Sequence, residues 1–118
     1  MRRYEYLKGG AFVSNKTNLA FLNAYIELDN ICSEKFGASR GGVTDYINRL
    51  ISQRSIPDRN EILPVLVRYR NIRNRMAHET DALNHIKDVS ASDVRWIKSF
   101  MKDVSRGKDP LSVYYRRI

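Results

Sequence analysis

The sequence has very few of the cysteine and histidine residues that stabilise a fold through disulfide bonds or bound metal ions. It contains one cysteine, Cys32, which excludes an intramolecular disulfide. With that single cysteine, the two separated histidines, His78 and His85, are too few for a structural zinc site. We therefore expect a domain that needs no metal and no other cofactor and is held together by its hydrophobic core.

Long apolar runs are also missing. No segment approaches the roughly 20 apolar residues that a transmembrane helix needs. The first ten residues, MRRYEYLKGG, carry two arginines but no apolar stretch behind them, which is unlike a signal peptide. We expect a cytoplasmic protein that does not engage a membrane.

The composition that is present fits one soluble domain spanning residues 1–118. Apolar residues make up 42% and charged residues 29% of the chain, which is typical of a globular protein. The 21 lysines and arginines exceed the 13 aspartates and glutamates, which leaves a formal net charge of +8. Such a surplus favours a polyanion: RNA, DNA, an anionic membrane surface or an acidic partner protein.

Helical periodicity recurs in four segments of the chain, and each is expected to form a helix. The first segment runs from Ser14 or Thr17 to about residue 36, and the second from about residue 43 to about residue 53. The third runs from about residue 58 to about residue 77, and the fourth from about residue 92 to about residue 105. Apolar residues at helical spacing in the first segment are Leu19, Leu22, Tyr25, Ile26 and Cys32.

The rest of the chain is expected to be irregular. Residues 1–13 are predicted to form an N-terminal arm or short strand, residues 79–89 a loop, and residues 107–118 a tail with room for a short fifth helix. No convincing strand alternation follows residue 13. The predicted fold is therefore all-α, an antiparallel up-and-down bundle of four main helices.

Local signals refine where two helices begin. Pro64 lies inside the third segment, so that helix is expected either to begin near Leu63 or to bend at Pro64. Ser90 or Ser92 is expected to cap the fourth helix.

The stretch GASRGGVT, residues 37–44, superficially matches a phosphate-binding loop. Val43 replaces the lysine that such a loop needs, and a predicted helix precedes the stretch where a strand should stand. We interpret it as a flexible loop between helices.

The stretch RYRNIRNRMAHE, residues 68–79, is the most distinctive in the chain. At about 100° per residue, the apolar residues of this helix share one stripe that predicts its core face. They are Ile62, Val65, Leu66, Tyr69, Ile72 and Met76. Nearly opposite lies a set that we call the ridge, made of Leu63, Val67, Asn71, Asn74 and His78.

Aliphatic residues on an outward face suggest a partner surface. We therefore predict a homodimer through the ridge, with Leu63, Val67 and Asn71 at the interface. A two-fold axis there would bring two copies of His78 near each other.

Arg73 falls at the edge of the core stripe, where an unpaired arginine is costly. On an ideal helix it lies about 140° from His78, so the two meet only if the helix ends or bends between them, or if a second chain supplies one of them. The other three arginines of the stretch are expected to bind RNA phosphates. They are Arg68, Arg70 and Arg75.

Residues 73–78, RNRMAH, resemble the Arg-x4–6-His signature of the HEPN superfamily, in which a polar residue often follows the arginine as Asn74 does here. HEPN domains are small all-helical bundles, commonly dimeric. Many are metal-independent ribonucleases of toxin–antitoxin, abortive-infection and CRISPR systems. The resemblance covers about residues 14–106 and is sharp in the six motif residues.

This resemblance implies an endoribonuclease that uses the 2′-hydroxyl of RNA as the nucleophile. His78 would act as the base or acid, Arg73 would stabilise charge on the phosphate, and Asn74 would bind the imidazole or the phosphate. The expected products carry a 2′,3′-cyclic phosphate and a 5′-hydroxyl. A toxin or phage-defence role with an antitoxin partner protein follows from the same resemblance. The alternative is a non-catalytic module that binds RNA, nucleotides or another protein.

Overall fold

The described part of the chain folds into six helices joined by short connections. In this computed structural model the backbone is described for residues 9–118 and the side chains for residues 15–118. The helices are α1 (Gly9–Phe36), α2 (Gly42–Ser52), α3 (Arg59–His78), α4 (Ala82–His85), α5 (Ala91–Ser105) and α6 (Pro110–Arg117). Residues 9–118 contain no strand, and the all-α prediction is confirmed.

Helix α1 is the centre of the bundle and contacts α2, α3, α4 and α5. Its buried face interleaves with the apolar stripes of its neighbours, as amphipathic helices require. The largest fully buried apolar side chains are Phe21, Leu28, Val43, Tyr46, Ile47, Leu50, Leu66, Ile86, Ile97, Val104 and Leu111. No helix within residues 9–118 has both the length and the apolar character needed to cross a membrane.

The start and the core face of α1 differ from the prediction. The helix begins at Gly9, so residues 9–13 of the predicted arm are helical; residues 1–8 of that arm lie outside the described residues. Two apolar residues assigned to the inner stripe, Leu19 and Ile26, are each 44% exposed. This helix is apolar on more than one face, so spacing alone did not identify the buried one.

Helices α2 and α3 run antiparallel. Arg59, at the start of α3, donates to the carbonyl of Leu50 near the end of α2. At the opposite ends, Asn74 of α3 and Thr44 of α2 line the same cleft. Helix α3 starts at Arg59 and runs through Pro64 rather than beginning near Leu63.

Two segments that were predicted to be irregular contain short helices. Helix α4 lies in the predicted loop 79–89 and is held by buried Ala82 and Ile86. Helix α6 occupies most of the tail and is the short fifth helix allowed for there. It is anchored by buried Asp109, which accepts hydrogen bonds from the Tyr46 hydroxyl (2.6 Å) and the Ser112 amide (3.2 Å).

Ser90, one of the two serines predicted as the cap, caps α5. It forms a capping box with Asp93, whose carboxylate accepts from the Ser90 amide at 2.9 Å. The same carboxylate accepts from the Tyr69 hydroxyl (2.8 Å) and from Arg68 (3.1 Å), both on α3. Asp93 therefore joins the start of α5 to α3.

This carboxylate is expected to make stability depend on pH. Burial alone would raise the pKa of Asp93, but the hydrogen bonds from Ser90, Tyr69 and Arg68 outweigh it and hold the pKa below its ordinary 3.8. A folded pKa below the unfolded one stabilises the fold above the unfolded value, and this contribution is lost as the pH falls through the folded pKa. We expect Asp93→Asn to cost about 1 kcal/mol of unfolding free energy at pH 7.

Urea unfolding of both proteins over a range of pH measures this effect. The difference between them should shrink as the pH falls below 3.8. Glu34→Gln, at an exposed position, is the control. A difference that stays constant across the whole range would contradict the role given to the carboxylate.

Candidate functional site

An open cleft of about 510 Å³ lies where α1, the start of α2 and the second half of α3 meet. It is formed by segments far apart in sequence: one turn of α1, the loop before α2, and the arginine-rich part of α3. Its lining residues are Tyr25, Asp29, Arg40, Gly41, Thr44, Arg70, Arg73 and Asn74.

Three arginines that line this cleft have no partner among the described side chains. Within the described side chains, Arg40, Arg70 and Arg73 make no hydrogen bond and no ion pair. Arg70 and Arg73 are half-buried, and Arg40 is exposed. Guanidinium groups that converge on a cleft without a carboxylate partner are suited to binding an anion, above all phosphate.

The α1 side of the cleft carries Tyr25 and Asp29, one helical turn apart. Tyr25 is only 4% exposed, and its hydroxyl makes no hydrogen bond in the described part of the chain. The hydroxyl oxygen of Tyr25 is accessible to solvent. Because Tyr25 lines the cleft, the exposed part of its side chain faces the cleft. Burial, and then the charge of Asp29, raise the pKa of Tyr25 despite the opposing charges of Arg73 and Arg70. The hydroxyl therefore stays protonated and can donate.

The start of α2 forms another wall. Gly41 precedes the helix with a φ of 66°, a left-handed conformation that favours glycine, and no side chain caps the helix from that position. Instead, Asp29 reaches over from α1 and accepts from the Val43 amide at 2.9 Å. The first turn of α2 thus adds the positive end of a helix dipole to the cleft.

The charges of the lining residues leave a net positive site. Three arginines and one aspartate give 3 − 1 = +2. The Asp29 carboxylate already accepts a hydrogen bond from the Val43 amide, so the arginines dominate the electrostatic potential of the cleft.

The structure brings together only part of the predicted catalytic set. Arg73 and Asn74 line the cleft, whereas His78 does not. His78 is the last residue of α3, is exposed, and makes no hydrogen bond or ion pair within the described side chains. It lies one helical turn beyond Asn74, and residues four apart on a helix are neighbours about 6 Å apart. His78 is therefore placed next to the end of the cleft at which Asn74 lies.

The predicted RNA-binding arginines divide into two groups. Arg70 lines the cleft. Arg68 is paired with Asp93 at 3.1 Å, and Arg75 is paired with Asp88 at 3.1 Å and with Glu79 at 3.3 Å. Both remain partly exposed, but their charges are balanced within the chain.

The ridge is not the exposed surface that the helical wheel indicated. Leu63 and Val67 are half-buried and pack against the core. On the helical wheel they lie beside Arg70 and Asn74, which share the cleft with the start of α2. Asn71 is exposed. Leu63 and Val67, on which the predicted homodimer was based, thus pack against the core of their own chain. The homodimer stays a prediction.

Sequence reasoning missed the half of the site that lies outside α3. Tyr25 was assigned to the core, Asp29 was not noticed, and the GASRGGVT stretch was interpreted as a plain loop. That stretch contributes Arg40, Gly41 and Thr44 to the cleft. The sequence feature that could have indicated this part of the site was an arginine beside two glycines, directly before a predicted helix.

The chain belongs to DUF6548, a family of unknown function, whose model matches residues 19–118. No curated protein matches the chain. No solved structure matches it either. The similarity to HEPN domains therefore stays a prediction from the motif.

Within the described side chains, no group of three or more histidine, cysteine, aspartate and glutamate residues is placed to hold a metal ion.

Proposed function

We propose that this protein binds RNA and that the cleft holds the RNA phosphates. The observation that carries the proposal is the convergence of Arg40, Arg70 and Arg73, none of which has a partner among the described side chains. Uncompensated guanidinium groups on a folded domain repel one another, and an anion between them removes that cost.

The formal charge of +8 supports a nucleic acid rather than a small anion, because charge spread over the whole domain attracts a polyanion from a distance. The cleft itself recognises phosphate. RNA is favoured over DNA by the HEPN-like motif, in which Arg73 and His78 are the two signature residues.

RNA cleavage is the second proposed function, and the position of His78 favours it. A strand that leaves the cleft past Asn74 comes within reach of His78, one turn further along α3. There the imidazole would take the proton of a 2′-hydroxyl. Helix α3 continues without a break from Arg73 to His78, so the Arg73 that neutralises charge on the attacked phosphate would come from a second copy of the chain. Bond formation between that oxygen and phosphorus expels the 5′-oxygen and leaves a 2′,3′-cyclic phosphate. A second copy of the chain could supply the acid for the departing oxygen.

The resemblance to HEPN domains, many of which are ribonucleases of toxin–antitoxin and phage-defence systems, is the reason to propose an effector of the toxin or phage-defence type, restrained by an antitoxin partner protein.

The binding proposal is tested with a short single-stranded RNA carrying 2′-O-methyl groups, which cannot be cleaved through the 2′-hydroxyl. We expect Arg70→Gln to weaken binding about tenfold, since one charge-assisted contact is worth about 1.5–3 kcal/mol. The wild-type affinity should also fall steeply with salt as counterions are released. Fluorescence anisotropy at low and physiological salt measures both effects.

Arg95→Gln is the charge-matched control, because Arg95 is exposed and lies beside Lys16 and Thr17 near the other end of α1. It should change the affinity far less than Arg70→Gln. Equal losses in the two variants would show that binding follows overall charge and not the cleft. An affinity that does not change with salt would argue against any nucleic-acid partner.

A further inference from the structure

We infer that the cleft binds a terminal phosphate, the phosphomonoester at one end of an RNA strand, in preference to an internal phosphodiester. The inference rests on the proposed RNA binding and specifies which phosphate the cleft holds. It is carried by the number of free donors, the net charge of the lining and the size of the cleft.

The donors exceed what an internal phosphate can use. Arg40, Arg70 and Arg73 each offer a fork of N–H groups, and none is engaged within the described side chains. An internal phosphodiester has two free oxygens, whereas a terminal phosphate has three. Strong acceptor oxygens of this kind pair well with clustered arginines.

Tyr25 is the most specific of these donors. The hydroxyl of Tyr25 is open to solvent and makes no hydrogen bond in the described part of the chain, although the side chain is only 4% exposed and lines the cleft. It is therefore held by the core and is free to donate to a ligand in the cleft. Its pKa is raised by burial, so it acts as a neutral O–H donor. A phosphate oxygen in the cleft would satisfy it.

The charge of the lining matches a dianion. Three arginines and one aspartate sum to +2. A phosphomonoester carries about −1.5 to −2 at neutral pH, whereas a phosphodiester carries a single charge.

The size of the cleft fits the end of a strand. At about 510 Å³ it lies in the range of sites that hold one small molecule. One nucleotide with its terminal phosphate can be accommodated in a volume of this size.

The test uses three short 2′-O-methylated single-stranded RNAs of one sequence, ending in a 5′-phosphate, a 3′-phosphate or hydroxyls at both ends. We expect one phosphorylated RNA to bind at least about tenfold more tightly than the hydroxyl-ended RNA, because the extra contacts are charge-assisted. The end that confers the gain identifies which phosphate the cleft takes. Adenosine 5′-monophosphate should compete with the preferred RNA if the 5′ end is the source.

Tyr25→Phe keeps the buried ring and removes only the hydroxyl. It should reduce the preference for the phosphorylated end at least about threefold, with the thermal unfolding curve confirming an intact fold. Tyr114→Phe, at a half-buried tyrosine outside the cleft, is the matched control and should retain the full preference. A preference that is equal in the Tyr25→Phe and wild-type proteins would overturn the inference.

Arg73→Glu separates this inference from the proposed function. If the three RNAs bind the wild type equally while Arg73→Glu abolishes binding, the cleft binds RNA and the terminal-phosphate inference is wrong. If Arg73→Glu binds all three RNAs as tightly as the wild type, the cleft is not the RNA site, and both proposals fall.

Discussion

His78→Ala is expected to reduce RNA cleavage at least a hundredfold without loss of folding. General acid–base groups typically contribute 10²–10⁴ in rate, and His78 is exposed at the end of α3, so its removal leaves no cavity. Arg73→Ala should cost a similar factor, because it removes a charge that stabilises the transition state. Asn74→Ala should cost less, since an orienting hydrogen bond contributes only about 1 kcal/mol.

Cleavage of a labelled single-stranded RNA in EDTA measures these rates. His85→Ala is the matched control, because His85 is an exposed histidine whose imidazole already contacts Glu79 at 3.3 Å. DNA and 2′-O-methylated RNA should resist, since neither has the attacking hydroxyl. Full activity of His78→Ala, or cleavage of DNA at a comparable rate, would contradict the proposed RNA cleavage. Either result would favour the alternative, a non-catalytic binding module.

Gly42→Ala is expected to destabilise the protein by about 3 kcal/mol. A β-carbon on Gly42 would overlap the backbone of Asp29 and Ser33 on α1, and its distance from the Ser33 hydroxyl would be only 2.7 Å. Backbone cannot rotate away as a side chain can, so α1 and α2 would have to separate. The separation would also strain the contact between Asp29 and the Val43 amide that closes one wall of the cleft.

Gly41→Ala is the natural comparison, because the two glycines are adjacent and differ in what surrounds them. A β-carbon on Gly41 meets open space, so only its left-handed backbone is penalised, at about 1–2 kcal/mol. Chemical unfolding of both variants gives the two costs. If Gly42→Ala is the milder substitution, the close approach of α1 and α2 is not what holds the cleft together.

Most of the fold could be predicted from the sequence because the signals for helices are local. The Ser90 cap, the apolar stripe of α5 and the glycines before α2 each act within a few residues of the element that they define. Helix α4 was missed because four residues are too few to show a helical period.

The site was only half predictable for the opposite reason. A helical wheel identifies which residues share a face of α3, and on that basis Arg73 was expected at the edge of the core. It does not identify which neighbouring helix covers a face. The ridge was therefore interpreted as a surface for a second chain, although Leu63 and Val67 are half-buried against the core of their own chain. Tyr25 and Arg40 join Arg73 only through tertiary packing, which no local pattern encodes.

The cleft also connects ligand occupancy to folding. Its walls come from α1, α2 and α3, so the unfolded chain has no equivalent site and every bound ligand favours the folded state by mass action. At a ligand concentration of about one hundred times the dissociation constant, this linkage adds about 2.7 kcal/mol to stability. Without a ligand, the three arginines of the lining face one aspartate, so an anion in the cleft would reduce the excess positive charge as well as add this linkage.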